Sequence, residues 1–149
     1  MIALTRQLTV AAPAGAVLEH LRDFGTSTAW DPAVRSATRL GSGPIMPGTM
    51  WRAESSILGV TTQLTYRLEV ADGDRLVFAG RSEGATVTQI FTVRAVEGGT
   101  ELTCHADVEV HGLAKLATPV LRLELAKLGD ETATRLTAVL NRLVHQAFS

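Results

Sequence analysis

Cysteine is almost missing from this chain: Cys104 stands alone among 149 residues, so no disulfide can form within it. Lysine is nearly as scarce, with Lys115 and Lys127 the only two, and arginine supplies the rest of the positive charge. The formal net charge is only -1, and no basic cluster follows the pattern that tracks a phosphate backbone. Nucleic acid is therefore not an expected partner. No apolar run approaches the roughly 18 residues that span a bilayer, and Met1-Ile-Ala-Leu-Thr-Arg-Gln-Leu8 lacks the apolar core of a signal peptide. These absences predict a cytoplasmic protein with no integral membrane segment. No CxxC, HExxH or glycine-rich phosphate loop occurs, so neither a metal nor a cofactor is expected.

What is present is a patterned globule. Hydrophobic residues make up 46% and charged residues 19%, a balance that excludes a disordered chain. The length suits one domain over 1–149, with no repeat, low-complexity tract or linker. Residues 2–11 alternate around Ile2, Leu4, Leu8 and Val10, with Arg6 in the middle, and predict a strand. Pro13 suits the first turn of a helix whose buried stripe is Val17, Leu18, Leu21 and Phe24, with Gly25 as its stop. Ser27 to Trp30 makes one more turn before Asp31-Pro32. Six further strands follow, at Val34–Leu40, Thr49–Leu58, Val60–Val70, Arg75–Ser82, Ala85–Val96 and Thr100–Val110. Short connections such as Gly59, Asp72-Gly73, Glu83-Gly84 and Gly98-Gly99 make them an antiparallel meander.

The closing region is helical but not one straight helix. Leu113, Leu116 and Val120 lie on one line, whereas Leu121, Leu125, Leu128, Leu136, Val139, Leu140 and Leu143 lie on another. Thr118-Pro119 explains the jump, as an N-cap followed by a first helical residue. The expectation is a short segment at 112–117, a candidate gate, then a main helix over 119–147. At 1.5 Å per residue that helix is about 43 Å long, enough to cross a sheet.

Strand parity sorts the side chains into two faces. Leu102, Cys104, Ala106, Val108 and Val110 share one face of the last strand, and His105, Asp107 and Glu109 the other. The same test turns Leu64, Tyr66, Leu68, Trp51, Phe78, Gln89 and Phe91 inward, with Ser55, Thr62 and Ser82 as further neutral polar groups. Small residues at Ala53, Gly80 and Ala106 leave room beneath the helix. Parity places no Asp, Glu, His, Lys or Arg of a strand centre inside, so Tyr66 and Cys104 are the only titratable inward groups. Such a face is either an ordinary core or the lining of a pocket, greasy with sparse hydrogen-bonding groups.

Trp30-Asp-Pro-Ala-Val34, Gly48-Thr-Met-Trp51, Gly98-Gly-Thr-Glu-Leu102 and the closing helix, in this order, resemble the START-like or SRPBCC superfamily. The likeness is strongest to its bacterial branch of polyketide cyclase/dehydrase and lipid transport proteins. It implies an α+β helix-grip fold: a seven-stranded antiparallel sheet curved around a long C-terminal helix, with two short helices after the first strand. It also implies a ligand held between sheet and helix. On that basis the candidate binding residues are Phe24, Trp30, Trp51, Tyr66, Phe78, Gln89, Phe91, Cys104, Leu116 and Val120. The expected partner is a small hydrophobic or aromatic molecule: a lipid, an isoprenoid or a polyketide-like compound. No catalytic residue is assigned. The alternatives are a cyclase or dehydratase, with Tyr66 or a rim residue (Asp23, His111 or Arg81) moving protons, and a protein-interaction module. A bulge that turned Arg81 or Glu54 inward would favour the enzyme.

Overall fold

Turn chemistry sets the order of the sheet in the computed structural model, which describes residues 1–147. The strands are β1 (Ile2–Val10), β2 (Val34–Leu40), β3 (Met50–Ile57), β4 (Val60–Ala71), β5 (Arg75–Arg81), β6 (Ala85–Val96) and β7 (Gly99–Val110). They form one antiparallel sheet in the order β1-β7-β6-β5-β4-β3-β2. Consecutive strands from β2 to β7 are therefore neighbours, and β1 returns to close the far side against β7. Two links are only two residues long, β3–β4 and β6–β7, and in the first Leu58 (φ 54°) and Gly59 (φ 76°) both occupy the left-handed region. That is the geometry a two-residue hairpin requires. Gly99 has a different constraint: a Cβ there would collide with the carbonyl oxygen of Val10 at the β1–β7 end.

Between β1 and β2 lie α1 (Ala14–Arg22), a single 3-10 turn at Phe24–Thr26, and α2 (Ser27–Trp30). The stop of α1 differs from the expectation at Gly25. The helix ends at Asp23, whose backbone is extended (φ -86°, ψ 106°) and whose carboxylate accepts from the Gly25 amide at 2.8 Å. A side-chain turn thus ends the helix before glycine is needed.

The break near residue 118 is where the sequence placed it, but its chemistry is not. Gly112–Ala117 is a 3-10 segment and α3 runs from Thr118 to Ala147. Thr118 is itself helical (φ -51°, ψ -45°), and its hydroxyl donates back to the Lys115 carbonyl at 2.7 Å. It bridges two helical segments and is no N-cap. At 30 residues α3 is about 45 Å long, and it packs along β1 and against α2. Its buried stripe of Leu125, Leu136, Val139 and Leu140 meets the inner face of the sheet. Among the described residues no helix is long and apolar enough to cross a membrane.

Candidate functional site

One end of the space between sheet and helix is filled with aromatic rings. Phe24 stacks on Tyr66 with centroids 4.1 Å apart and the planes 23° from parallel. Phe78 lies 5.3 Å from Phe24 and 5.8 Å from Trp51. Trp30 meets Phe91 edge-on at 5.6 Å. The indole N–H groups are both satisfied: Trp51 Nε1 donates to Asp23 Oδ1 at 3.1 Å, and Trp30 Nε1 donates to Thr26 Oγ1 at 3.2 Å. Pairs of this kind contribute about 0.5–1.5 kcal/mol each beyond area burial. The cluster is a rigid plug.

The other end is open. A cavity of about 380 Å³ lies between the inner sheet face and α3. Leu58 and Val60 of the β3–β4 hairpin, Ala85 and Val110 of the opposite strands, and Ala114 and Ala117 of the 3-10 segment line its outer part. Leu121, Leu125 and Leu128 make the helical wall. At the inner part stand Trp30, Asp31, Ser55, Tyr66, Gln89 and Phe91. The walls are mostly apolar, with Arg6, Thr62, His105 and Thr132 among them, and Asp31, Ser55, Tyr66 and Gln89 stand together at this floor.

The expected residues divide into three groups. Trp30, Tyr66, Gln89, Phe91 and Cys104 line the cavity. Phe24, Trp51 and Phe78 are fully buried in the aromatic plug and do not reach the cavity surface. Leu116 and Val120 point outward, 82% and 57% exposed. The reversal lies in which face of Gly112–Ala117 turns to the sheet. With about three residues per turn, Leu113 and Leu116 share one face and Ala114 and Ala117 another, and it is the alanine face that meets the cavity. In α3 the inward series then begins at Leu121.

Gly80 also departs from the expectation that it leaves open space. Tyr66 and Gly80 are paired across β4 and β5, and the phenol ring lies over the glycine. A Cβ at residue 80 would sit 2.5 Å from Tyr66 Cε1. The missing side chain makes room for a ring, not for a ligand. Ala106 does border the cavity.

Two charged residues enter where parity placed none. Arg6 is paired with Cys104, in the inward row of β1. Its guanidinium crosses to α3, donating to Asp130 Oδ1 at 2.7 Å and to the Ala126 carbonyl at 3.0 Å. The signal was legible, because Arg6 shares its parity with Ile2, Leu4, Leu8 and Val10. Asp31 lies in the turn after α2, outside every strand, where a parity test has no reach. Its Oδ1 accepts from the Ala33 amide at 2.9 Å. Burial pushes its carboxyl above the ordinary aspartate range, opposed by the Ala33 amide, the Gln89 side chain and the charge of Arg135.

The other titratable groups of the wall are held neutral. Burial raises the Tyr66 phenol, and the nearby Asp31 charge raises it further. Burial pushes the Cys104 thiol up to about 12, which suits an inert side chain and not a nucleophile. Neither Arg81 nor Glu54 lines the cavity: the register shift beside Glu54 falls on the opposite strand, between Val34 and Ser36 of β2, and the one at Leu68/Val70 is away from Arg81. Of the rim residues, Asp23 is engaged by Trp51, and His111 Nε2 lies 3.1 Å from Thr86 Oγ1. His105 and Asp107 pair with each other at 2.9 Å on the outer face, with Thr5 beside His105. Among the described residues no three His, Cys, Asp or Glu side chains gather as a metal site would require.

Comparison with known proteins places this architecture. The ZhuI aromatase/cyclase from Streptomyces sp. R1128 superposes with a TM-score of 0.78 at 15% identity, covering 95% of this chain and 94% of that one. A START superfamily protein from Mycobacterium smegmatis gives 0.77 at 17% identity, with 95% and 98% covered. The di-domain ARO/CYC BexL of the BE-7585A biosynthetic pathway gives 0.69 at 17% identity, with 93% of this chain matching 50% of BexL. At these identities the likeness shows the helix-grip fold. No curated protein sequence matches the chain. Residues 1–141, however, match one family along nearly their whole extent, and the chain belongs to that family, described as polyketide cyclase / dehydrase and lipid transport.

Proposed function

We propose that this protein binds a small hydrophobic or aromatic molecule of lipid, isoprenoid or polyketide-like character in the cavity between sheet and α3, and acts in the cytoplasm as a carrier or binding module. The observation that carries this reading is the cavity itself: about 380 Å³ with mostly apolar walls and a small polar floor. Burying about 300 Å² of apolar ligand surface supplies about 7 kcal/mol gross. Losses of freedom on association bring that toward micromolar affinity. An open cavity also weighs against a module whose core is filled and whose surface alone is used.

A second reading is a cyclase or dehydratase using the same cavity. Asp31 and Tyr66 at its floor favour it, as do the names of the similar aromatase/cyclases. General acid–base work needs a titratable group within reach of the substrate, and Asp31 meets that need.

Native mass spectrometry of freshly purified protein, followed by organic extraction, tests the shared premise. A bound small molecule, or quenching of Trp30 by members of a panel of fatty acids, isoprenoid alcohols and polycyclic phenols, is the expected result. Trp51→Phe leaves Trp30, the indole that lines the cavity, as the reporter. No bound mass and no response to any panel member would sink the proposal. Turnover of a polyketide substrate with a bell-shaped pH profile would select the enzyme over the carrier.

A further inference from the structure

The floor of the cavity holds more hydrogen-bonding capacity than the protein uses. Gln89 Oε1 is buried there without a partner. Its side chain stands between Phe78 of β5 and Ala106 of β7, neither of which can donate to it. Beside it is Asp31, whose Oδ1 receives the Ala33 amide while a carboxyl has about four acceptor positions to fill. Tyr66 contributes a phenol from β4 to the same space. A buried acceptor without a donor costs free energy that an incoming donor recovers.

The charges around Asp31 do not supply that donor. From α3, Arg135 acts on Asp31 through its charge alone, its guanidinium being bonded to Glu131 at 2.6 Å. From β4 comes the neutral Tyr66, and from β6 the Gln89 amide. The rest of the inner part is Ser55, whose hydroxyl both donates and accepts, and the apolar surfaces of Trp30, Ala33 and Phe91.

Resting on the binding role above, we propose that Asp31 and Gln89 anchor a hydroxyl group, so that the ligand is a hydrophobic alcohol or phenol whose O–H donates into the cavity floor. The Tyr66 O–H is placed to donate back to the same oxygen. A ligand carbonyl or ether accepts from Tyr66 or Ser55 but leaves the buried Gln89 Oε1 without a donor. A ligand ammonium would bring a full charge into an apolar chamber, where desolvation opposes it. The hydroxyl is the neutral group that matches the floor. Because an O–H donor favours the carboxylate form of Asp31, affinity for it rises with pH as Asp31 loses its proton.

Calorimetric titration of the full chain with 2-naphthol and 2-methoxynaphthalene, which share a ring system and differ in the donor, tests this between about pH 4 and pH 8. The wild type is expected to prefer 2-naphthol by about tenfold at the upper end, the worth of one hydrogen bond to a charged acceptor. The preference shrinks at the lower end. In Asp31→Asn it loses its pH dependence, and in Gln89→Leu it falls several-fold; circular dichroism confirms that both variants fold. Equal affinity for the two naphthalenes, a pH-independent preference, or tighter binding of the cationic 2-naphthylmethylamine overturns the inference. Failure of 2-naphthol alone, with other members of the hydrophobic panel still bound, also overturns it and leaves the binding role standing. Only failure of the whole panel removes both.

Discussion

Asp31 carries a stability cost that its own fold does not recover. Its carboxyl titrates above its ordinary value because burial disfavours the charge more than Ala33, Gln89 and Arg135 favour it. The sign follows directly: the folded state holds the proton more tightly than the unfolded one, so stability falls as pH rises through the folded value. Asp31→Asn keeps an oxygen for the Ala33 amide and removes the charge. It should therefore be more stable than wild type at neutral pH, with the gain disappearing below the ordinary aspartate range. Urea unfolding of both proteins across pH checks this, and a destabilised variant at neutral pH would show that the carboxylate is a structural group. Gly80 supports the floor in the opposite way, by having nothing to offer. Gly80→Ala drives a methyl into the Tyr66 ring, and the expected loss is about 1–3 kcal/mol by denaturant unfolding. A neutral outcome would mean that the ring moves freely off the strand.

At the scale of elements, Arg6 adds a polar clasp to the packing of α3 along β1. The Arg6–Asp130 ion pair is weak on its own, since Asp130 is 75% exposed. The bond from Arg6 to the Ala126 carbonyl adds a contact to the helix backbone. Gly129 lies beside this clasp, yet a Cβ there would be 3.6 Å from the guanidinium, an ordinary contact. Gly129→Ala should thus gain helix propensity of about 1 kcal/mol, raising Tm by roughly 2–4 °C. A lower Tm by calorimetry would show that Arg6 needs the glycine. The same elements show what a sequence can and cannot reveal. The strands and the break before α3 were legible because period-two alternation, paired glycines and Thr118-Pro119 are local signals. The inward face of Gly112–Ala117 was not, since the Leu113/Leu116 and Ala114/Ala117 rows have the same spacing and apolarity favours the wrong one; Leu116 and Val120 were misplaced with it. Parity distinguished inside from outside along the strands, but not whether Phe24, Trp51 and Phe78 face a void or one another. That depends on how rings from different elements meet. Asp31 escaped because turns have no face to read.

For the whole molecule, the division between a plug of aromatic rings and an unfilled chamber sets a trade between stability and binding. Wall atoms of the chamber lack the dispersion partners that close packing gives elsewhere. A side chain that fills it should restore those contacts and exclude the ligand. Ala106 is the position to use: it borders the cavity, midway between Gln89 and Leu4 in the cross-strand row. Ala106→Phe should unfold at the same or a higher temperature than the unliganded wild type. Its affinity for a cavity ligand should fall by more than about tenfold, the equivalent of roughly 1.4 kcal/mol. The wild type, in contrast, gains about 2.7 kcal/mol when ligand is present at about a hundred times its Kd, so its Tm climbs with ligand concentration while the variant's does not. Thermal unfolding of both proteins with and without 2-naphthol reads these effects together. Should Ala106→Phe fold normally and bind as tightly as wild type, the ligand must sit elsewhere. The shallow surface depression between α1 and the Pro44-Ile45 loop, beside His20 and Arg22, would then be the site to probe.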